Sequence, residues 1–383
     1  MKKAFLLGGL SLILVLGSSV AWAQTVTIPA EHPSLMRGVR PIGMGNAFIA
    51  MPGTDENAPF YNPAAINDYE KQLHFKFISP TVDLSTGAIG LIMDVKDLVT
   101  DLNNASGDAG SELNVFRTFV NQHIGQFESV SFHMPPVMVM HKWFSAGLLV
   151  DSRNTVSFRN RVFTSFELDS RSDFGGFVGG AYGFLEDQIQ AGLNVKVLHR
   201  LSIRQVITED DVLANSGDFG SALPRNRATG FGIDLGLKGK VPDFDIAILE
   251  RLAPTVALTW QDIGNARFSA PVPDTNQSIS FGVAVHPKFG DFQTHFAFDI
   301  RELNQSSTFP KKAHFGLELQ APRYFGFLTP AVRIGANQLY FAGGLTLDFR
   351  FVKLDFAAYG EEAGMATRNK ELRRYAFDLV FGF

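Results

Sequence analysis

From Gln188 onward the chain alternates apolar and polar positions in runs of strand length. Ile189, Ala191, Leu193, Val195 and Val197 fall on one side, and Gln190, Gly192, Asn194 and Lys196 on the other. Phe231, Ile233, Leu235 and Leu237 oppose Gly232, Asp234, Gly236 and Lys238. Ala313, Phe315, Leu317 and Leu319 oppose His314, Gly316, Glu318 and Gln320. Successive strand residues point to opposite faces, so these runs predict β-strands with one apolar and one polar face. Stretches of this kind lie near 74–85, 128–141, 144–152, 155–170, 174–184, 188–206, 229–239, 253–263, 277–286, 292–301, 312–320, 328–337, 340–349, 352–360 and 372–383. Several reach the roughly 9–11 residues that a tilted strand needs to cross a bilayer. A single-chain bacterial barrel has an even number of strands, so about 14 are expected and one of the fifteen stretches is misassigned. The expected fold class is all-β: a transmembrane antiparallel barrel. On the polar face of the last strands, Asp348, Arg350, Lys353, Asp355 and Asp378 are expected to form a solvated or ion-paired ladder in the lumen.

Two regions interrupt the alternation. Residues 24–73 precede the first strand and form an N-terminal hatch segment in this reading. Within it, Asn62 suits a helix N-cap and Pro63 the first helical position, which predicts a short helix over Ala64–Tyr69. Gly43 and Gly45 permit positive φ or close backbone packing. Over about 94–125, Val95, Leu98, Val99 and Leu102, then Leu113, Phe116, Val120 and Ile124, follow helical spacing around a turn at Asn103–Gly107. This predicts a helical hairpin carried in a barrel loop. Its stripe serves either as a groove for a ligand or partner, or as a cap that packs on the barrel rim.

The ends of the chain extend the same picture. Met1-Lys2-Lys3, an apolar run over Ala4–Val20 and Ala21-Trp22-Ala23 read as a signal peptide at 1–23, with the mature chain starting near Gln24. No later window has the run of some 18 apolar residues that a spanning helix needs, so a membrane location implies a barrel. The last strand sets Tyr375, Phe377, Leu379, Phe381 and Phe383 against Ala376, Asp378, Val380 and Gly382. An aromatic last residue with apolar residues at every second position before it resembles the assembly signal read by the barrel-assembly machinery.

Composition sharpens the class. The chain has 36 Phe and 36 Gly but 7 Tyr and 3 Trp. Alternating Phe suits a lipid-facing surface, and Gly suits a crowded lumen. An Arg at Asn194 is therefore expected to be tolerated, while one at Gly316 is expected to clash. There is no Cys, so no disulfide and no thiolate chemistry. Without Lys2 and Lys3 there are 32 basic and 38 acidic residues, which argues against nucleic acid as a partner. The nine His show no metal-ligand spacing. No G-x-S-x-G elbow or phosphate loop occurs, so neither an enzyme nor a cofactor is expected.

The stretch Gly43-Met44-Gly45-Asn46-Ala47-Phe48-Ile49-Ala50, followed by Asn62-Pro63-Ala64-Ala65 and then by the strands, resembles the FadL-type superfamily. That group includes fatty-acid and aromatic-hydrocarbon transporters as well as PorV-like and TraF-like outer-membrane barrels. The likeness covers 37–66 and, more loosely, the strand pattern to Phe383. The resemblance implies that the N-terminal segment folds into the lumen as a hatch, with Asn62, Pro63 and Ala64 within it and Gly43 and Gly45 supporting them. It also implies a bacterial outer-membrane protein in contact with lipid that passively takes up a small hydrophobic molecule such as a fatty acid or aromatic hydrocarbon. Ala342-Gly343-Gly344-Leu345-Thr346-Leu347 and Leu354-Asp355-Phe356-Ala357-Ala358-Tyr359 look more PorV-like. They imply the alternative, an assembly or secretion partner that binds a secreted or periplasmic protein and transports nothing. A plain diffusion porin fits less well, because a plug segment would obstruct it.

Overall fold

Strands whose two faces differ in polarity must bury one face and offer the other to an apolar phase, and closure into a barrel also removes the sheet edges. The computed structural model describes residues 36–69, 71–160, 164–214, 225–242, 244–363 and 371–382. The signal peptide, Gln24 and Phe383 lie outside the described residues. Seventeen strand segments form one antiparallel sheet, and three of them continue a strand after a short break, which leaves fourteen strands.

β1 consists of His74–Phe77 and Thr81–Ser85, and β2 of Phe127–Met134 and Val137–His141, interrupted at Pro135-Pro136. β3 is Phe144–Asn160, β4 Ser165–Phe184, β5 Ile189–Thr208, β6 Asn226–Lys240 and β7 Thr255–Gln261. β8 joins Ser278–Val285 to Lys288–Phe289; β9 is Phe292–Ile300, β10 Ala313–Gln320 and β11 Thr329–Asn337. β12 is Tyr340–Asp348, β13 Val352–Glu362 and β14 Glu371–Gly382. Closure comes from β14 on β1, with Phe377 opposite Val82 and Phe381 opposite Phe77.

The three expected stretches at 144–152, 155–170 and 174–184 are in fact the two strands β3 and β4, which pair continuously from Phe144↔Gly180 to Ser157↔Glu167. The polar runs Asp151-Ser152-Arg153-Asn154 and Asp169-Ser170-Arg171-Ser172-Asp173 resemble turns, yet here they are strand interior. With this correction the strand number becomes even.

The expected faces are present. Leu193, Leu235, Phe296, Phe315, Tyr375, Phe377 and Phe381 are exposed on the outer wall, while Asn194, Lys196, Asp234, Glu318, Ala376 and Asp378 are buried inward. An apolar exterior around a polar interior is the form in which strands cross a membrane. No described helix is long and apolar enough to cross one. Leu317 is outward on β10, so Leu317→Arg should cost about 2–4 kcal/mol if near the midplane, whereas Leu317→Phe should be neutral. Denaturant unfolding from lipid vesicles measures both; equal midpoints would contradict the face assignment.

β3, β4 and β5 have 17, 20 and 20 residues, well beyond what a bilayer requires. Their projecting ends support the helical hairpin, which occupies the β1–β2 connection at the barrel end opposite His74 and Gly382. Counting the helices in chain order, α1 (Val39–Gly43) and α2 (Ala58–Tyr61) lie in the lumen; α3 (Ala88–Ala105) and α4 (Ala109–His123) form the hairpin. The hairpin thus begins earlier than the expected 94, and its turn falls at Ser106–Asp108. Asp108 caps α4 through the Gly110 amide at 3.2 Å. Leu91, Leu98, Leu102, Phe116 and Val120 bury against Phe158, Phe166, Ile203 and Ile207 of β3–β5. The stripe therefore packs as a cap rather than lining an open groove.

Candidate functional site

The site is built by the N-terminal segment inside the barrel and the small residues it rests on. Thr255, Ala284, Ala297, Gly316, Gly335 and Ala342 are cross-strand neighbours, one from each of β7 to β12, and form a row across the lumen wall. Residues 43–50 lie along that row. A Cβ on Gly316 would come 2.5 Å from the Met44 carbonyl oxygen, and one on Gly335 2.6 Å from the Met44 carbonyl carbon. Gly43 stands against Gly344, whose Cα would be 3.1 Å from an added Cβ. Gly45 has φ +61°, and a Cβ there would be 2.4 Å from the Phe315 carbonyl oxygen. The expected lack of room at Gly316 is therefore real. Asp299 accepts the Phe48 and Ile49 amides at 2.6 and 2.9 Å, and the Thr255 hydroxyl donates to Ala50 O at 2.9 Å.

The second half of the segment has a similar seat. Gly192 on β5 and Gly236 on β6 are paired across the strands. A Cβ on Gly192 would lie 2.3 Å from the Pro63 carbonyl carbon, and one on Gly236 2.1 Å from Asn62 Oδ1. Asn62 Oδ1 accepts the Ala64 amide at 3.0 Å, while its Nδ2 donates to Ile49 O at 3.0 Å and Leu237 O at 3.3 Å. One side chain thus caps a turn, ties it to the first half of the segment and holds it to the wall. The turn is a 3-10 helix, Pro63–Asp68, where Ala64–Tyr69 was expected; Tyr69 leaves it with extended backbone. Asn194 is also packed here, its Nδ2 donating to Pro59 O at 3.4 Å. The expected tolerance of an Arg at Asn194 fails for lack of space.

Buried ion pairs fasten the segment. Arg40 donates to both oxygens of Glu318, at 2.9 Å from Nε and 2.7 Å from Nη2, and to Asp55 at 2.7 Å from Nη1. Arg333 also reaches Glu318, at 2.5 Å, and Asp355 at 3.4 Å. Lys353 joins Asp355 at 3.2 Å to Glu56 at 2.5 Å. Lys238 meets Asp68 at 2.5 Å, and Arg37 meets Glu361 at 2.5 Å. Burial alone would lower the Arg40 pKa, but Glu318 and Asp55 override it and hold the guanidinium well above its usual value. Burial likewise pushes the Asp68 carboxyl up, yet Lys238 and hydrogen bonds from Gln190 and Gly53 bring it below the ordinary value. Of the expected ladder, Lys353 and Asp355 are paired, and Asp378 accepts from Ser79 at 3.2 Å. Asp348 and Arg350 instead sit at the β12–β13 turn, where the Arg350 amide donates to Asp348 at 2.8 Å.

No protein-family model matches the chain, and no curated protein matches it. Among solved structures, the toluene transporter TodX of Pseudomonas putida aligns at 11% identity over 91% of this chain and 97% of that one, with a TM-score of 0.48. A Pseudomonas aeruginosa FadL homologue aligns at 12% identity over 91% and 97%, with a TM-score of 0.34. CdiB from Acinetobacter baumannii aligns at 7% identity over 81% and 60%, with a TM-score of 0.37.

An apolar core also occupies the lumen. Phe48, Met51, Phe60 and Tyr61 of the segment cluster with Met138 and Met140 of β2, Phe177 of β4, Leu198 of β5, and Phe268 and Val272 of the β7–β8 loop. The Phe60 and Phe177 rings meet edge to face at 5.0 Å. A lumen is usually polar, so these inward apolar side chains mark a distinct strip of wall. A cavity of about 10 Å³ near Glu56 and Asp378 has room for roughly one water. An apolar groove of about 680 Å³ lies on the outer wall, among Val283, Val285, Phe296, Phe298, Phe315 and Leu317.

Proposed function

We propose that this barrel lies in a bacterial outer membrane and admits a small hydrophobic molecule, of the fatty-acid or aromatic-hydrocarbon kind, past a hatch formed by residues 36–69. The observation that carries the reading is the apolar strip inside a polar lumen. Met138, Met140, Phe177 and Leu198 are buried in one apolar cluster with the hatch residues Met51 and Phe60, the Phe60 ring meeting Phe177. A water-filled pore has no use for such a wall, whereas an apolar solute gains from burial against it. In this reading the conformation described is the closed one, and displacing the hatch bares the strip.

A second reading has its own support. The hatch is seated on wall glycines and fastened by buried ion pairs, as a permanent plug would be. This fits the PorV-like alternative, in which the barrel is a scaffold for a secreted or periplasmic protein. A binding experiment separates the two. Purified protein is titrated with a fluorescent long-chain fatty acid and with toluene as competitor, native and with Arg40→Met to loosen the hatch. Saturable binding that strengthens in the variant is expected. Failure of either form to bind, together with specific capture of a periplasmic protein by the native barrel, overturns the transport reading.

A further inference from the structure

The β7–β8 connection, residues 262–277, emerges at the same barrel end as the helical hairpin, yet it turns back into the lumen. The Asp262 amide donates to Asp234 Oδ1 at 2.8 Å and the Ile263 amide to Ile233 O at 2.9 Å. Bridges between Ala266 and Thr275 and between Arg267 and Phe231 fold the loop on itself and dock it on β6. Gly230 on β6 makes the space for it: a Cβ there would lie 2.4 Å from the Phe268 ring. Ala266, Phe268 and Val272 are buried and belong to the same apolar core as Phe60 and Met51 of the hatch.

One side chain holds the loop in. Arg200 of β5 is fully buried. Its Nε and Nη2 donate to the two oxygens of Asp173 on β4 at 2.6 and 2.9 Å. The same guanidinium reaches the loop, with Nη1 donating to Pro273 O at 2.7 Å and Nη2 to the Thr275 hydroxyl at 2.9 Å. Its carbon lies 4.0 Å from the centre of the Phe268 ring. A buried guanidinium is costly unless its charge and its donors are met. Asp173 supplies the charge from the wall, and the loop supplies the remaining acceptors and an aromatic face. If the loop left, water could take over those donors, while Phe268 and Val272 would be exposed together with the core beneath them.

We infer that the 262–277 loop is a second lid, closing the apolar core from the barrel end that carries the helical hairpin, and that Arg200 is its latch. The lid gains its purpose from the proposed passage of a hydrophobic molecule, but its test involves no such molecule, so the two ideas can fail separately. Because the chain has no cysteine, a single Val272→Cys is a clean reporter. Barrels in proteoliposomes are treated with a maleimide, and Asp101→Cys on the exposed hairpin face gives the rate for an open site. The Val272→Cys protein is expected to react far more slowly than this reference. Adding Arg200→Met should raise the rate by roughly ten- to a hundredfold, as loss of hydrogen bonds to a charged group implies. Phe268→Ala with Thr275→Val cuts two of the three contacts from the loop side, sparing only the Pro273 carbonyl, and leaves the wall intact. It serves if the Arg200 variant does not assemble, and heat-modifiable gel mobility reports assembly. Two results overturn the proposal: native Val272→Cys reacting as fast as Asp101→Cys, or an unchanged rate in assembled barrels carrying the latch substitutions.

Discussion

Arg40→Met will free the hatch from the wall while leaving the barrel folded. Arg40 is the joint between three carboxylate oxygens, two on Glu318 and one on Asp55. Glu318 keeps Arg333 in the variant, but Asp55 loses its ion-pair partner and keeps the Asn57 amide at 2.9 Å. A buried charge that loses its partner typically costs about 3–5 kcal/mol. That penalty falls on hatch docking, because none of the fourteen strands gains or loses a ladder bond. Trypsin reads the result at Arg37, which is partly buried in the native protein and held by its contact with Glu361. Cleavage there should become rapid while the band retains the mobility of an unheated barrel. Arg40→Lys should rescue poorly, since one ammonium cannot match the two-pronged contact with Glu318. Adding Asp55→Asn and Glu318→Gln should recover part of the loss by removing the stranded charges. Unchanged trypsin resistance in Arg40→Met would falsify the view that this ion network holds the hatch.

Much of the barrel can be read from the sequence because lipid and lumen impose opposite polarity on alternate residues. Leu193 and Asn194, or Leu317 and Glu318, declare their faces without any knowledge of their neighbours. Reading fails where that contrast is absent. β3 and β4 extend past the apolar band, and over 151–154 and 169–173 both faces are polar, so strand interior looks like turn. The hatch is legible to the extent that it is local: Asn62 caps the turn begun by Pro63 within three residues. Its seat is not, because Gly192 and Gly236, or Gly316 and Gly335, become neighbours only through strand register. The fastening is less visible still, since Arg40 and Glu318 are 278 residues apart. Lysines and carboxylates at lumen positions are expected anyway, and nothing in the chain says which meet. The inward fold of 262–277 has the same cause: Arg200 selects it from 75 residues away.

Gly45→Ala should expel the first half of the hatch, and Gly107→Ala should do almost nothing, although the two glycines share a left-handed backbone. Gly45 has φ +61° and Gly107 φ +94°, so an alanine is strained at both, by about 1–2 kcal/mol. The difference lies in what the new methyl group meets. At Gly107, in the turn of the helical hairpin, nothing lies within 4 Å. At Gly45 the methyl carbon would sit 2.4 Å from Phe315 O and 2.5 Å from Ala336 N and O. These are backbone atoms of β10 and β11, whose residues Phe315 and Ala336 pair directly, so the wall yields only by breaking its ladder. The hatch is the softer partner, and residues 43–50 must lift from the row of small residues. Lifting also pulls the Phe48 and Ile49 amides from Asp299 and leaves that carboxylate buried without them. Proteolysis at Arg37 and Arg40 should therefore rise by orders of magnitude in Gly45→Ala and stay at the native level in Gly107→Ala, with both barrels still heat-modifiable. If the hatch also closes the lumen, planar-bilayer recordings of Gly45→Ala should show an ion conductance that Gly107→Ala lacks. Equal protection in the two variants would mean that the close fit of Gly45 to the wall does not exist in the membrane.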